Sequence, residues 1–152
     1  MKSVLVAAFL VLIADAILAA DPIVKVLDIA GESPAAVGKI LGPPKKREMV
    51  QYGGKKWPRI HYAKGIEVLF VSGKADIIDV KLPDLEKKKP EEVLALVGLD
   101  PGTPPTWQKS EYGLMRWEGI QGLAEVHLLR EGALSGQPVT SQEIKVWVTP
   151  LK

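Results

Sequence analysis

One helix signature is written twice in this chain, as SPAAVGKILG at residues 33–42 and as KPEEVLALVG at residues 89–98. Each copy places Pro34 or Pro90 at the first helical position, where a missing N–H costs nothing. Each then sets apolar residues at i, i+3 and i+4: Val37, Ile40 and Leu41 in one copy, Val93, Leu96 and Val97 in the other. That spacing makes a single stripe on one helix face. Gly42 or Gly98 closes the helix, and Ser33 is a good N-cap, its hydroxyl able to accept from the first turn. Helices this short are marginal in water and must dock on something.

The segments that follow supply it. RIHYA (59–63), GIEVLFVSG (65–73) and ADIIDVKLP (75–83) alternate in the manner of strands, with Ile66, Val68 and Phe70 on one face, joined on that face by Ile78, Val80 and Leu82. The opposite face carries Glu67, Leu69 and Val71 on one strand and Asp79 and Lys81 on the next. After the second helix the order returns. GLMRWEG (113–119) stands where WPRIHYA stood, GLAEVHLL (122–129) matches KGIEVLFV, and EIKVWVTP (143–150) matches DIIDVKLP. The offset is 56 at the helix prolines, 58 at the Glu-Val pairs and 67 at the closing prolines, Pro83 and Pro150. A longer hairpin loop, REGALSGQPVTSQ, takes up the excess. PIVKVLDIAG (22–31) reads as a first strand or an extended lead-in. The expectation is an α+β fold of two tandem repeats, residues 21–84 and 85–152, each a short helix followed by antiparallel strands. One unit cannot bury its sheet alone, so the two form one sheet with both helices on one face.

Two such units, each with P-x-x-V-x-x-(I/L)-(L/V)-G followed by a proline-containing loop and antiparallel strands, resemble the β-lactamase-inhibitor-protein-like (BLIP-like) fold over residues 30–152. The chain is also similar to the SmpA/OmlA-type outer-membrane assembly lipoproteins, which use a single unit. The resemblance implies a protein that binds another protein with its sheet and does no chemistry. This chain departs from both families in having no cysteine, so it has neither the disulfides typical of the inhibitors nor the lipobox cysteine of the lipoproteins.

The absence of cysteine also removes thiolate metal sites and cysteine nucleophiles. At the N-terminus, Lys2 precedes VLVAAFLVLIA (4–14) and then small residues. That order reads as a secretory signal peptide, too short for a membrane span. Cleavage is expected after Ala20, with Ala16 or an uncleaved anchor as the alternatives. The mature chain is then exported, periplasmic or secreted, with no stable membrane insertion. The net charge of +2 implies no attraction to nucleic acid. The local basic runs, Lys45-Lys46-Arg47, Lys55-Lys56 and Lys87-Lys88-Lys89, read as solvated loop and linker faces, with a phosphate or membrane site as the rival reading.

Chemistry is hard to find. His61 and His127 lack metal-ligand spacing, and neither a Gly-x-Ser-x-Gly elbow nor a glycine-rich phosphate loop occurs. Asp76 and Asp79, three apart, would point to opposite faces of a strand. No enzyme, metal or cofactor is expected. Tyr and Trp outnumber Phe, and both suit half-exposed contact surfaces. Trp57 and Trp107, beside Pro58 and Pro105, read as packed in loops. Trp147 points away from the core because Ile144, Val146 and Val148 take the core side. The expected contact surface is the concave sheet face: Glu67, Leu69, Glu125, His127 and Trp147, with Tyr52 and Tyr112 at its rim. The expected function is an exported protein-binding module, an inhibitor or an envelope-assembly accessory. The rival is a structural envelope protein held to anionic polymer or lipid head groups by the basic runs. A fusion carrying residues 1–20 should be exported and should lose them, a result mass spectrometry of the exported product reads directly.

Overall fold

The Ser33 hydroxyl accepts the Ala36 N–H at 3.3 Å and opens α1 (Pro34–Leu41). α2 (Pro90–Ala95) is opened differently: the Glu92 carboxylate reaches back to the Lys89 N–H at 2.7 Å. The computed structural model describes residues 21–82, 88–109, 113–131 and 141–149. The expected signal segment, the boundary at 84/85, Tyr112, Pro83, Pro150 and most of the long hairpin loop lie outside the described residues.

Between the helices run β1 (Lys46–Tyr52), β2 (Lys55–His61), β3 (Ile66–Val71) and β4 (Lys74–Leu82). After α2 come β5 (Trp107–Lys109), β6 (Leu114–Glu118), β7 (Glu125–Glu131) and β8 (Ser141–Trp147). The result is an α+β fold with one eight-stranded antiparallel sheet, in the order β1-β2-β3-β4-β8-β7-β6-β5. Both helices contribute to one continuous core on one face of the sheet. Val37, Val93, Leu94 and Val97 pack there with Ile66, Val68, Phe70, Ile78, Val80, Val126, Leu128, Ile144 and Val146. Alternation placed these strand residues correctly.

The helix stripes are narrower than the spacing predicts. In α1 only Val37 is fully buried, while Leu41 is half-buried and Ile40 stands 50% exposed. In α2 the inward residue is Leu94, not Leu96. The cause is local. The N–H groups of Leu96, Val97 and Gly98 reach back only three residues, to Val93, Leu94 and Ala95. That tighter turn rotates Leu96 off the predicted stripe.

Residues 22–31 form no strand. They run irregularly through a 3₁₀ turn at Val26–Asp28, and the N–H groups of Ile23 and Val26 donate to the carbonyls of Leu96 and Val97. Val24, Val26 and Ile29 are buried beside α2. The strand β1, by contrast, is unforeseen in the sequence, where Lys45-Lys46-Arg47 reads as a loop face. Its signal was Gly53-Gly54, a two-residue hairpin turn with φ of +57° and +76° that only glycine adopts without strain. Trp57 and Trp107 accordingly sit on strands, and Trp117 and Tyr62, 2% and 4% exposed, are core residues.

A bulge interrupts the β3–β4 pairing. Leu69 faces Ile77 but Phe70 faces Ala75, so Asp76 is the extra residue. Counting faces through it fails. The Asp76 carboxylate accepts the Thr149 hydroxyl, just beyond β8, while its carbonyl accepts the Val148 N–H. Close packing also fixes the turn before β3. A Cβ on Gly65, at φ +70°, would stand 2.8 Å from the Lys81 carbonyl oxygen.

Val37 and Val93 are both wholly buried. Val37→Asp and Val93→Asp should each remove about 4 kcal/mol or more of stability, because an unpaired carboxylate would replace core packing. Urea melts check this. A variant melting close to wild type would mean that its helix is not seated on the sheet.

Candidate functional site

The pairing registers carry two rows of side chains across the face away from the helices. One row runs Glu48, Arg59, Leu69, Ile77, Trp147, Glu125, Glu118, from β1 to β6. The next runs Lys46, His61, Glu67, Asp79, Lys145, His127, Arg116, Trp107, across every strand. Residues directly opposite on neighbouring strands share a face and lie within contact distance. Five of the seven sequence-predicted residues, Glu67, Leu69, Glu125, His127 and Trp147, therefore fall on one surface.

Their environments differ. Trp147 is half-buried near the centre, with the His127 ring centroid 4.4 Å away at a 50° tilt. The Lys145 ammonium lies 5.9 Å from the indole centroid, within cation–π range. His127 Nε2 meets Glu125 Oε2 at 2.8 Å, which orients the ring against the indole. Leu69 is on this face but only 3% exposed, between Arg59 and Ile77. It is part of the floor, not a contact residue as the sequence suggested. Tyr52 ends β1, at the far side, where its carbonyl accepts the Trp57 indole N–H at 3.1 Å. Burial pushes the Tyr52 hydroxyl above the usual tyrosine range, and the Asp76 charge adds to the rise.

Beside Trp147 the face dips into a depression of about 220 Å³, walled by Leu114, Leu129 and Trp147, with His127, Glu143 and Lys145 completing the rim. Its volume suits one large side chain. Leu114 and Leu129 face each other across β6 and β7. The sequence reading missed them for this surface, although the alternation that placed Trp147 outward applies to them as well.

Charge is organised along the second row. Lys46 donates to Glu48, and His61 Nε2 stands 2.9 Å from the same carboxylate. These two contacts, Lys46 first, hold the Glu48 carboxyl down at about 2. Burial pushes Glu67 up, but the Lys81 hydrogen bond at 2.6 Å and its charge outweigh this, leaving Glu67 below the usual range. Asp79 is the reverse case. It is 5% exposed, and burial raises its carboxyl above the ordinary value despite Lys145, whose ammonium stands 3.2 Å away without the alignment of a hydrogen bond. Other buried polar atoms of this face, Arg59 Nε, Arg116 Nε and Trp147 Nε1, also lack a hydrogen-bond partner among the described residues. Arg116 instead pairs with Glu118 and lies over the Trp107 ring at 5.9 Å.

The two aspartates of β4 are both engaged, Asp76 by Thr149 and Asp79 by Lys145. Among the described residues, no cluster of three histidine or carboxylate groups could hold a metal ion, and no helix is long and apolar enough to cross a membrane.

The Asp79 carboxyl makes a pH prediction with a definite sign. A raised native pKa means that the charged form disfavours folding, so the penalty is present at neutral pH and disappears as pH falls below the ordinary value of 3.8. Asp79→Asn should therefore be at least as stable as wild type at neutral pH, with any advantage vanishing near about pH 3. Urea midpoints measured across that range read the effect. A variant much weaker than wild type at neutrality would show that the Lys145 pair outweighs the cost of burial. Compared with protein-family models, with curated proteins and with solved structures, the chain matches none.

Proposed function

We propose that this is an exported, non-enzymatic protein-binding module that uses the sheet face opposite its helices, as an inhibitor or an envelope-assembly accessory. The observation that carries the reading is Trp147, a half-buried tryptophan on a central strand, far from either sheet edge, with an indole N–H that has no partner among the described residues and an apolar depression beside it. Binding energy at protein interfaces concentrates on such residues, with charged groups around them. Glu125, His127 and Lys145 surround it here, Glu67 lies two strands away on the same face, and Tyr52 lies on that face towards one edge.

The companion proposal is that the two helix-plus-four-strand units are copies of one another. In its support, Arg59 and Arg116 hold equivalent places, and the 3₁₀ turns at Ala63–Gly65 and Ile120–Gly122 both carry a left-handed second residue, Lys64 and Gln121. Hairpin register refines the alignment by one residue. Val68 pairs with Ile78 and Val126 with Val146, so Val146 answers to Ile78 at an offset of 68, one more than the closing prolines suggest. Ile78 and Val146 also face each other across β4 and β8, as a twofold relation between the copies requires. Duplication would thus have made the face by placing related strands side by side.

Trp147→Ala tests the face, with Trp117→Ala as its buried counterpart. The Trp117 change should cost the full ~3–5 kcal/mol of a core aromatic, and the Trp147 change clearly less. In return, Trp147→Ala should weaken capture of the partner from the exported fraction by about 2 kcal/mol. Urea melts and binding titrations read the two effects. Equal stability losses would make Trp147 a structural residue, and capture that vanished at high salt would favour head-group association.

A further inference from the structure

The open edge of the sheet carries a second surface. β1 pairs only with β2, and its seven residues run without a bulge from the Lys46↔His61 pair to the Tyr52↔Lys55 pair. The opposite edge, β5, spans three of the described residues. An edge strand presents alternate unpaired N–H and C=O groups, a template for another strand. β1 contains no proline, and Lys46, Arg47, Met49 and Gln51 are exposed along it, Met49 to 59%.

Charge decides what this template accepts. Residues 45–61 hold six cations, Lys45, Lys46, Arg47, Lys55, Lys56 and Arg59, against the single carboxylate Glu48, a net +5. The whole chain carries +2, so the remainder carries −3. Two of the basic runs that read as loop faces, Lys45-Lys46-Arg47 and Lys55-Lys56, are thus gathered on one edge hairpin. Lys45, Arg47, Lys55 and Lys56 have no ion-pair partner among the described residues. Like charge opposes pairing of this edge with a second copy of itself, while the same field attracts an anionic strand. We infer that the β1 edge receives an extended acidic segment of a partner protein as a ninth strand. This inference does not depend on the role of Trp147, which lies four strands away by sheet position.

The length of β1 suits a segment of about seven residues, roughly 24 Å. Main-chain hydrogen bonds would supply affinity, and carboxylates opposite Lys46 and Arg47 would supply selection. The probe is a fluorescein-labelled peptide of about nine residues alternating Glu and Thr, titrated by anisotropy at low salt against the full mature chain. It should bind. Methylating alternate backbone nitrogens on one edge of the peptide should weaken binding about tenfold or more, and methylating those on its other edge should not, since an added strand bonds through one edge. The double variant Lys46→Glu, Arg47→Glu should lose binding, and Met49→Pro, which removes one edge N–H, should weaken it, both with wild-type urea midpoints. If either variant is unfolded, the peptide-induced shifts of β1 amide resonances in the wild-type NMR spectrum decide in its place. Trp147→Ala should bind the peptide normally. The inference is overturned if the parent peptide fails to bind or both methylated peptides bind as well as it does. It is equally overturned if phosphatidylglycerol vesicles compete as effectively as peptide, or if Trp147→Ala alone abolishes binding.

Discussion

The antiparallel pairing of β4 with β8 holds the molecule together, and the remaining features depend on it. Six consecutive pairs, from Ile77↔Trp147 to Leu82↔Gln142, join two four-stranded meanders into one sheet. Without that seam each meander would expose a bare central edge and half a core. With it, β4 becomes an interior strand buried along nearly its whole length, on both faces. Ile78, Val80, Ile144 and Val146 line its helix side with no exposure. The other side of the same pairs is Ile77 with Trp147 and Asp79 with Lys145. Core and candidate surface are therefore two sides of one set of hydrogen bonds.

That arrangement explains why polar groups on the helix-free face are so deeply placed. An interior strand has neighbours on both sides, so a carboxylate on it loses much of its water even without a covering layer. Asp79 is raised by burial for this reason, whereas Glu48, on the edge strand, is held down by Lys46 and His61. Burial and the partner decide together, since Glu67, on the interior strand β3, is held down by Lys81. The same gradient distinguishes the two proposed surfaces: an apolar-centred patch in the middle and a charged, open hairpin at the margin.

The sequence reading succeeded where a property repeats along a few residues and failed where it does not. Period-two alternation assigned β3, β4, β7 and β8 to the correct faces, including Trp147 outward. It lost β1, whose exposed charged residues show no buried face to betray a strand, although Gly53-Gly54 marked the hairpin turn. It misjudged Leu69, because alternation gives the direction of a side chain but not the height of its neighbours. It misjudged Asp76, because a bulge adds a residue that no local pattern announces.

The sequence by itself determined both ends of α1, through Ser33, Pro34 and Gly42, and the start of α2, through Pro90. It also determined which residues of the interior strands face the core, since both follow from backbone sterics and short-range periodicity. Only the tertiary structure decided that β8 lies beside β4, that Trp147 stands between Ile77 and Glu125 with His127 against its ring, and that two basic runs, Lys45-Lys46-Arg47 and Lys55-Lys56, meet on one edge hairpin. Strand neighbours are chosen by burial of the whole core and by hydrogen bonds between residues distant along the chain, and a local period carries no record of that choice.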